Sequence, residues 1–109
     1  MATPTKNIAR LLRIMTRLRG PGGCPWDREQ THQSIRHNLI EECYEALDAL
    51  DSGNLKAFQE ELGDLLLQVV FHAQMAAESK QLHLEKALLD FCFLRLMNSL
   101  TLTTILTSI

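Results

Sequence analysis

Cysteine is scarce in this sequence and wrongly spaced for a disulfide-stapled fold. Cys24, Cys43 and Cys92 are an odd number with no C-x-x-C spacing, which argues against a disulfide framework and fits a reducing, cytoplasmic compartment. An excess of one charge sign is also missing. The net charge of −2 over 109 residues gives no global case for a nucleic-acid polymer or a membrane as partner. Long apolar runs are absent too. Lys6, Arg10 and Arg13 near the N-terminus are not followed by one, so no signal peptide is expected. The stretch from Phe91 to Ile109 is interrupted by Arg95, Asn98 and several threonines, too polar and too short for a membrane span. No repeat or linker divides the chain, so one domain over 1–109 is expected. A domain this short buries a modest fraction of its surface, which invites burial against a second copy.

What is present is helical periodicity, with no convincing strand. Ile8, Leu11, Leu12, Met15 and Leu18 follow helical spacing, and Arg10, Arg13 and Arg17 form a basic stripe on another face. Gly20-Pro21-Gly22-Gly23 stops this helix. A loop is expected through Cys24 to Gln30, and Thr31 reads as the N-cap of a second helix over about 32–50. Its apolar stripe is Ile35, Leu39, Cys43, Ala46, Leu47 and Leu50. Glu41, Glu45 and Asp48 lie opposite, with Glu42 at the border. Asn54 reads as the cap of a third helix over about 55–77. After Asp64 this helix becomes apolar on all sides, through Leu65, Leu66, Leu67, Val69, Val70 and Phe71. Such a helix must be covered on all sides, which implies burial in a dimer. A fourth helix is expected from about Leu84, including Leu88, Leu89 and Phe91. Beyond Cys92 the pattern degrades.

The chemically informative residues are Glu41, Glu42, Glu45, Glu61 and Asp64. Residues three or four apart on a helix are neighbours, so Glu42 and Glu45 pair on one helix and Glu61 and Asp64 on the next. The short connection around Gly53 makes the two helices antiparallel neighbours, and folding the hairpin brings the pairs together. Clustered carboxylates repel one another unless a cation sits among them. Hard oxygen donors without cysteine or histidine favour Mg²⁺ or Mn²⁺ over zinc. Magnesium held this way completes its shell with water and substrate phosphates, which points to phosphoryl or pyrophosphoryl chemistry. The competing reading is a solvated acidic face, the common fate of an isolated E-E-x-x-E. Against it, Glu61 and Asp64 open the most apolar helix of the chain, where unpaired charge is costly.

Glu41-Glu42-Cys43-Tyr44-Glu45 followed by Glu61-Leu62-Gly63-Asp64 resembles the E-E-x-x-E and E-x-x-D motifs of the MazG nucleotide pyrophosphohydrolases. Gly22-Gly23-Cys24-Pro25-Trp26-Asp27, Gln30-Thr31-His32 and the Leu65-Leu66 continuation look like MazG segments as well. The resemblance covers about 8–78; the motif-bearing core is placed at about 8–90 and an atypical tail at about 92–109. It implies an all-α, MazG-like four-helix bundle paired into a tight homodimer. It also implies Mg²⁺-dependent hydrolysis of (deoxy)nucleoside triphosphates to monophosphate and pyrophosphate, with Mn²⁺ as a substitute ion, in nucleotide-pool cleansing or control. By motif position Glu42, Glu45, Glu61 and Asp64 are the implied metal ligands, and Glu41 is a ligand or the base that takes a proton from water. The sequence departs from the family at its C-terminus: relatives continue into a basic segment, whereas here Arg95 is the last basic residue. A catalytically weak domain acting as a helical dimerisation module is therefore the alternative.

The candidate substrate-binding residues are Trp26, His32, Arg36 and Lys80. Trp26, the one tryptophan, stacks on a base or closes the end of the bundle, the second being the commoner role. His32 and Arg36 fall in the first turns of the second helix, where anions are favoured, although surface solvation is the commoner reading. Lys80 reaches a phosphate only if the fourth helix folds back over the site. His72, in the apolar third helix, reads as a hydrogen-bonded core or interface residue. A di-iron bundle needs Glu-x-x-His on two helices. Only Glu29 to His32 fits, across a loop.

Overall fold

The computed structural model describes residues 3–80, 83–84, 86–89 and 107. Among them every regular element is helical: α1 (Pro4–Arg19), α2 (Pro25–Glu29), α3 (Arg36–Asp51) and α4 (Leu55–Ser79), with 84 and 86–89 helical beyond. The expected Phe91 and, except for 107, the atypical tail over about 92–109 lie outside the described residues. No helix among the described residues is long and apolar enough to cross a membrane.

Local chemistry sets the boundaries. Thr3 Oγ1 accepts from the Lys6 amide at 3.2 Å and Pro4 takes the first helical position of α1, where its missing N–H is harmless. The stretch after Gly20 turns back tightly, so that the Cys24 amide donates to Leu18 O at 2.8 Å. Gly23 is required by this approach, since a Cβ there would sit 2.2 Å from Arg17 O. At the hairpin between α3 and α4, Gly53 adopts φ of 77°, a left-handed conformation that suits glycine. Asn54 Oδ1 then accepts from the Ala57 amide at 3.1 Å, as expected of the cap.

Two expectations are corrected. The segment read as a loop contains α2, one short helix opened by Pro25, whose fixed φ is preorganised for a first turn. Thr31 does not cap α3 directly. Thr31 and Ser34 exchange bonds, each side-chain oxygen accepting from the other's amide at 2.8 and 3.0 Å. This local ring holds 32–35 as a turn, and α3 starts at Arg36.

The core comprises Leu12, Met15, Ile35, Val70, Phe71, Ala73, Met75 and Leu84, with Leu11 and Leu88 packed against it. It therefore gathers on the C-terminal half of α4. Each large side chain buried there contributes roughly 1.5–3 kcal/mol. The stripe foreseen on α3 is only partly used: Ile35 and Ala46 are buried, but Leu39, Leu47 and Leu50 are exposed. The face of α3 turned to α4 is instead the one carrying Ala46, Ala49 and Glu42, because small residues allow close helix approach.

A polar clamp closes the same end. The Arg19 guanidinium meets Glu78 through two bonds of 2.9 and 3.0 Å. It also donates to Asp27 O and Gln30 O at 2.6 and 3.0 Å, and its Cζ lies 5.6 Å from the Phe71 ring centre. One side chain from α1 thus ties the C-terminal end of α2 to α4. Buried Gln74 is satisfied beside it, paired with Thr16 Oγ1 at 3.1 Å and donating to Glu78 at 2.9 Å.

Candidate metal centre

The antiparallel α3–α4 hairpin brings the two acidic motifs together as expected. Carboxylate oxygens of Glu42, Glu45 and Glu61 all lie within 4.8 Å of one another. Glu42 and Glu45 occupy adjacent turns of α3, and Glu61 faces them from the second turn of α4. Glu42 Oε2 and Glu61 Oε2 are buried and have no hydrogen-bond partner. Burial pushes the Glu42 carboxyl above its usual range, and repulsion from Glu45 and Asp64 adds to it. Glu61 is raised the same way, by burial first and then by the approach of Glu45. Buried, unpartnered and mutually repelling oxygens are what a cation would relieve, so the donor set fits a hard divalent ion.

The other sequence candidates are distributed unevenly around this cluster. Asp64 is exposed and is not among the three convergent residues, though its charge acts on both Glu42 and Glu61. Glu41 is exposed beside Glu42. Arg36 opens α3 and, with Gln33, His37, Leu39, Ile40 and Cys43, lines a groove of about 650 Å³. Trp26 is 58% exposed on α2, so it does not close the end of the bundle in this chain. Lys80 caps the far end of α4, roughly 24 Å from Asp64 at 1.5 Å per residue, and is not brought to the cluster.

His32 and His72 meet, a contact that spacing alone did not reveal. Their Nδ1 atoms are 2.7 Å apart, and the rings are nearly parallel, with centroids 5.0 Å apart. An atom pair this close is inside van der Waals contact, so the rings are offset and joined through a hydrogen bond at their edges. His72 is thus hydrogen-bonded, as its position in an apolar helix suggested. The Arg19 clamp also escaped the sequence reading. Its one available signal was an arginine closing a helix just before a Gly/Pro break.

A profile of the MazG nucleotide pyrophosphohydrolase domain matches residues 30–93. That range holds every carboxylate of the cluster, together with His32, Arg36 and Lys80. The chain is 60% identical over 68 residues to a Thermotoga maritima protein named nucleoside triphosphate pyrophosphohydrolase/pyrophosphatase MazG, covering 62% of this chain and 27% of that one. It is 57% identical over 72 residues to the nucleoside triphosphate pyrophosphohydrolase of Escherichia coli K12, covering 65% and 27%. The enzyme of the same name from Mycobacterium tuberculosis is 54% identical over 68 residues, covering 62% and 20%. The chain therefore spans no more than 27% of the length of these relatives.

Proposed function

This chain belongs to the MazG nucleotide pyrophosphohydrolase domain family, and from that premise we propose that it hydrolyses (deoxy)nucleoside triphosphates to monophosphate and pyrophosphate. The observation that carries the proposal is the convergence of Glu42, Glu45 and Glu61 within 4.8 Å, with two buried oxygens unpartnered. Glu42, Glu45 and Glu61 would hold Mg²⁺, or Mn²⁺ in its place, with Asp64 completing the set through a rotamer change at its exposed position. Held there, such an ion would supply charge to offset the triphosphate and would acidify a bound water. Glu41 stands one residue outside the ligand set and takes the proton of the attacking water. Arg36, at the start of α3, and Trp26, exposed on α2, would meet phosphate and base.

The active form we propose is a homodimer in the cytoplasm, serving nucleotide-pool cleansing or control. Leu39, Ile40, Tyr44, Leu47 and Leu50 of α3 and Leu62, Leu66 and Val69 of α4 are all at least 36% exposed in the single chain. Apolar surface on this scale on both arms of one hairpin supports burial against a second copy. Cys24 and Cys43 are free thiols, which supports a reducing compartment.

The test is direct. The purified chain is incubated with a panel of (d)NTPs and Mg²⁺, and pyrophosphate and monophosphate are measured, with Glu42→Gln as control. Pyrophosphate release that disappears in the variant supports the proposal. No release from a folded, Mg²⁺-binding chain overturns it and leaves the dimerisation module.

A further inference from the structure

The bond between His32 and His72 sets a limit on protons. Their Nδ1 atoms lie 2.7 Å apart, so one Nδ1 carries a proton and the other is bare. Two neutral rings meet this condition. A pair holding one extra proton meets it too, because a cationic ring still donates to a neutral one. Two cationic rings do not. Both Nδ1 atoms would then direct a proton into the same short gap, with like charges in parallel rings whose centres are 5.0 Å apart. His72 is also a poor place for the second proton. The ring is half-buried, and its Nε2 is buried with no hydrogen-bond partner. A cationic His72 would present an N–H there with nothing to receive it.

This contact joins two parts of the fold. His32 stands in the turn before α3, whose own hydrogen bonds run within 30–35. His72 stands in the core-bearing half of α4, between Phe71 and Ala73. The turn delivers Ile35, 3% exposed, into that core and leads directly into α3. We infer that the His32–His72 pair is an acid-opened latch, which bonds this turn to α4 until both rings are protonated and then releases it. The latch needs neither an ion nor a substrate and is independent of the pyrophosphohydrolase reading.

The direction of the pH dependence follows from His72. Burial, with the charge of His32 adding to it, lowers the pKa of His72 from its ordinary 6.5. The closed latch therefore binds this proton less tightly than the open one. Its stability is full above pH 6.5 and is lost as pH falls through the lowered value. Nearby charges do not offset this. Arg19 of α1 lies over the neighbouring Phe71 and is bonded to Glu78 of α4, and Arg36 opens α3 just past the turn. Among the described residues His32 is the one charged group that acts on His72.

Amide exchange in the full chain reads the latch. The Ile35 and Arg36 amides donate to Thr31 O and Gln33 O, and their protection is measured relative to the intrinsic rate at mildly alkaline pH and at about pH 5. We expect it to fall about fivefold in acid, the worth of one ordinary hydrogen bond, while Ala73 and Met75 in the core keep theirs. His32→Ala, at an exposed position, should leave protection at the acid level at both pH values. Carboxylates titrate in both chains, so their contribution cancels in the comparison. Ring ¹H–¹³C shifts in the same samples should give His72 a midpoint below 6.5. Protection that ignores pH in the unaltered chain overturns the inference. So does a pH dependence that persists in His32→Ala, or a His72 midpoint at or above 6.5.

Discussion

The two halves of α4 have the same helical backbone and opposite chemistry. In the C-terminal half, Val70, Phe71, Ala73, Gln74, Met75 and Ala77 are buried, and the one acid at its end, Glu78, is bonded to Arg19 and Gln74. In the N-terminal half, Leu62, Leu66 and Val69 are 42–44% exposed and Glu61 keeps a buried oxygen without a partner. The first half is finished within one chain; the second has apolar surface and negative charge still to be matched. A helix can thus be held at one end by the fold while its other end keeps apolar surface and negative charge unmatched.

The largest expected effect strikes the finished half. Arg19→Met removes two bonds to Glu78, two to backbone carbonyls and a cation–π contact, at a side chain only 9% exposed. Leaving the two carbonyls and Gln74-bonded Glu78 without this buried guanidinium costs about 3 kcal/mol, and urea denaturation should show a loss near that size. The loss should be the same with and without Mg²⁺, because the clamp and the carboxylates sit on different halves. A Mg²⁺-dependent loss would break the comparison.

Glu42→Gln comes next and strikes the unfinished half. Pyrophosphate release should fall on the order of a hundredfold, as expected when the ligand field of a metal is disturbed. Stability of the metal-free chain should move the other way. The folded pKa of Glu42 and Glu61 is raised above the ordinary 4.5, so the folded chain binds protons more tightly than the unfolded one. Stability from this source is full below pH 4.5 and is lost as pH rises through the raised values. Thermal unfolding of the metal-free chain should show that decline, and Glu42→Gln should flatten it. Glu78 has the opposite sign. Burial raises its pKa, but bonds from Arg19 and Gln74 outweigh this and lower it, so its contribution is lost as pH falls below 4.5.

Leu66→Asp sharpens the same contrast by roughly a factor of ten or more. Leu66 is 44% exposed, so the substitution should leave the lone chain nearly as stable as before. A charge in an apolar interface is costly, and sedimentation equilibrium should show dimer association at least about tenfold weaker. An unchanged dissociation constant would place the second copy elsewhere or remove it.

The division of α4 was partly legible beforehand. Local signals read well: Asn54 as a cap, the Gly53 turn and the acidic spacing on α3 and α4 all depend on near neighbours. Crowding of apolar residues after Asp64 called for cover on all sides, and in the single chain Leu66, Leu67 and Val69 stay 41–44% exposed. The use of faces on α3 did not read well. Leu39, Leu47 and Leu50 outweigh Ala46 and Ala49 in any hydrophobic count, yet close packing on α4 selects the small residues. Arg19–Glu78 and His32–His72 lie 59 and 40 residues apart in sequence, and no periodicity reports such partners. Lys80 stands apart from the cluster for a simpler reason: a continuous helix carries it steadily away from Asp64.

The smallest effect concerns Asn54, which caps the unfinished half with a bond of 3.1 Å from Ala57. Losing such a cap costs about 1 kcal/mol when the helix end is rigidly held. Here the first turns of α4 contribute nothing to the core cluster, and Leu55 is 68% exposed. Local opening then competes with global unfolding. Asn54→Ala should therefore speed amide exchange at 57–61 strongly while lowering global stability by about 1 kcal/mol or less. Mg²⁺, gripping Glu61 one turn further in, should restore much of the protection. Equal slowing of exchange along all of α4 would mean that the helix opens as one unit. The two halves would then differ in chemistry but not in stability.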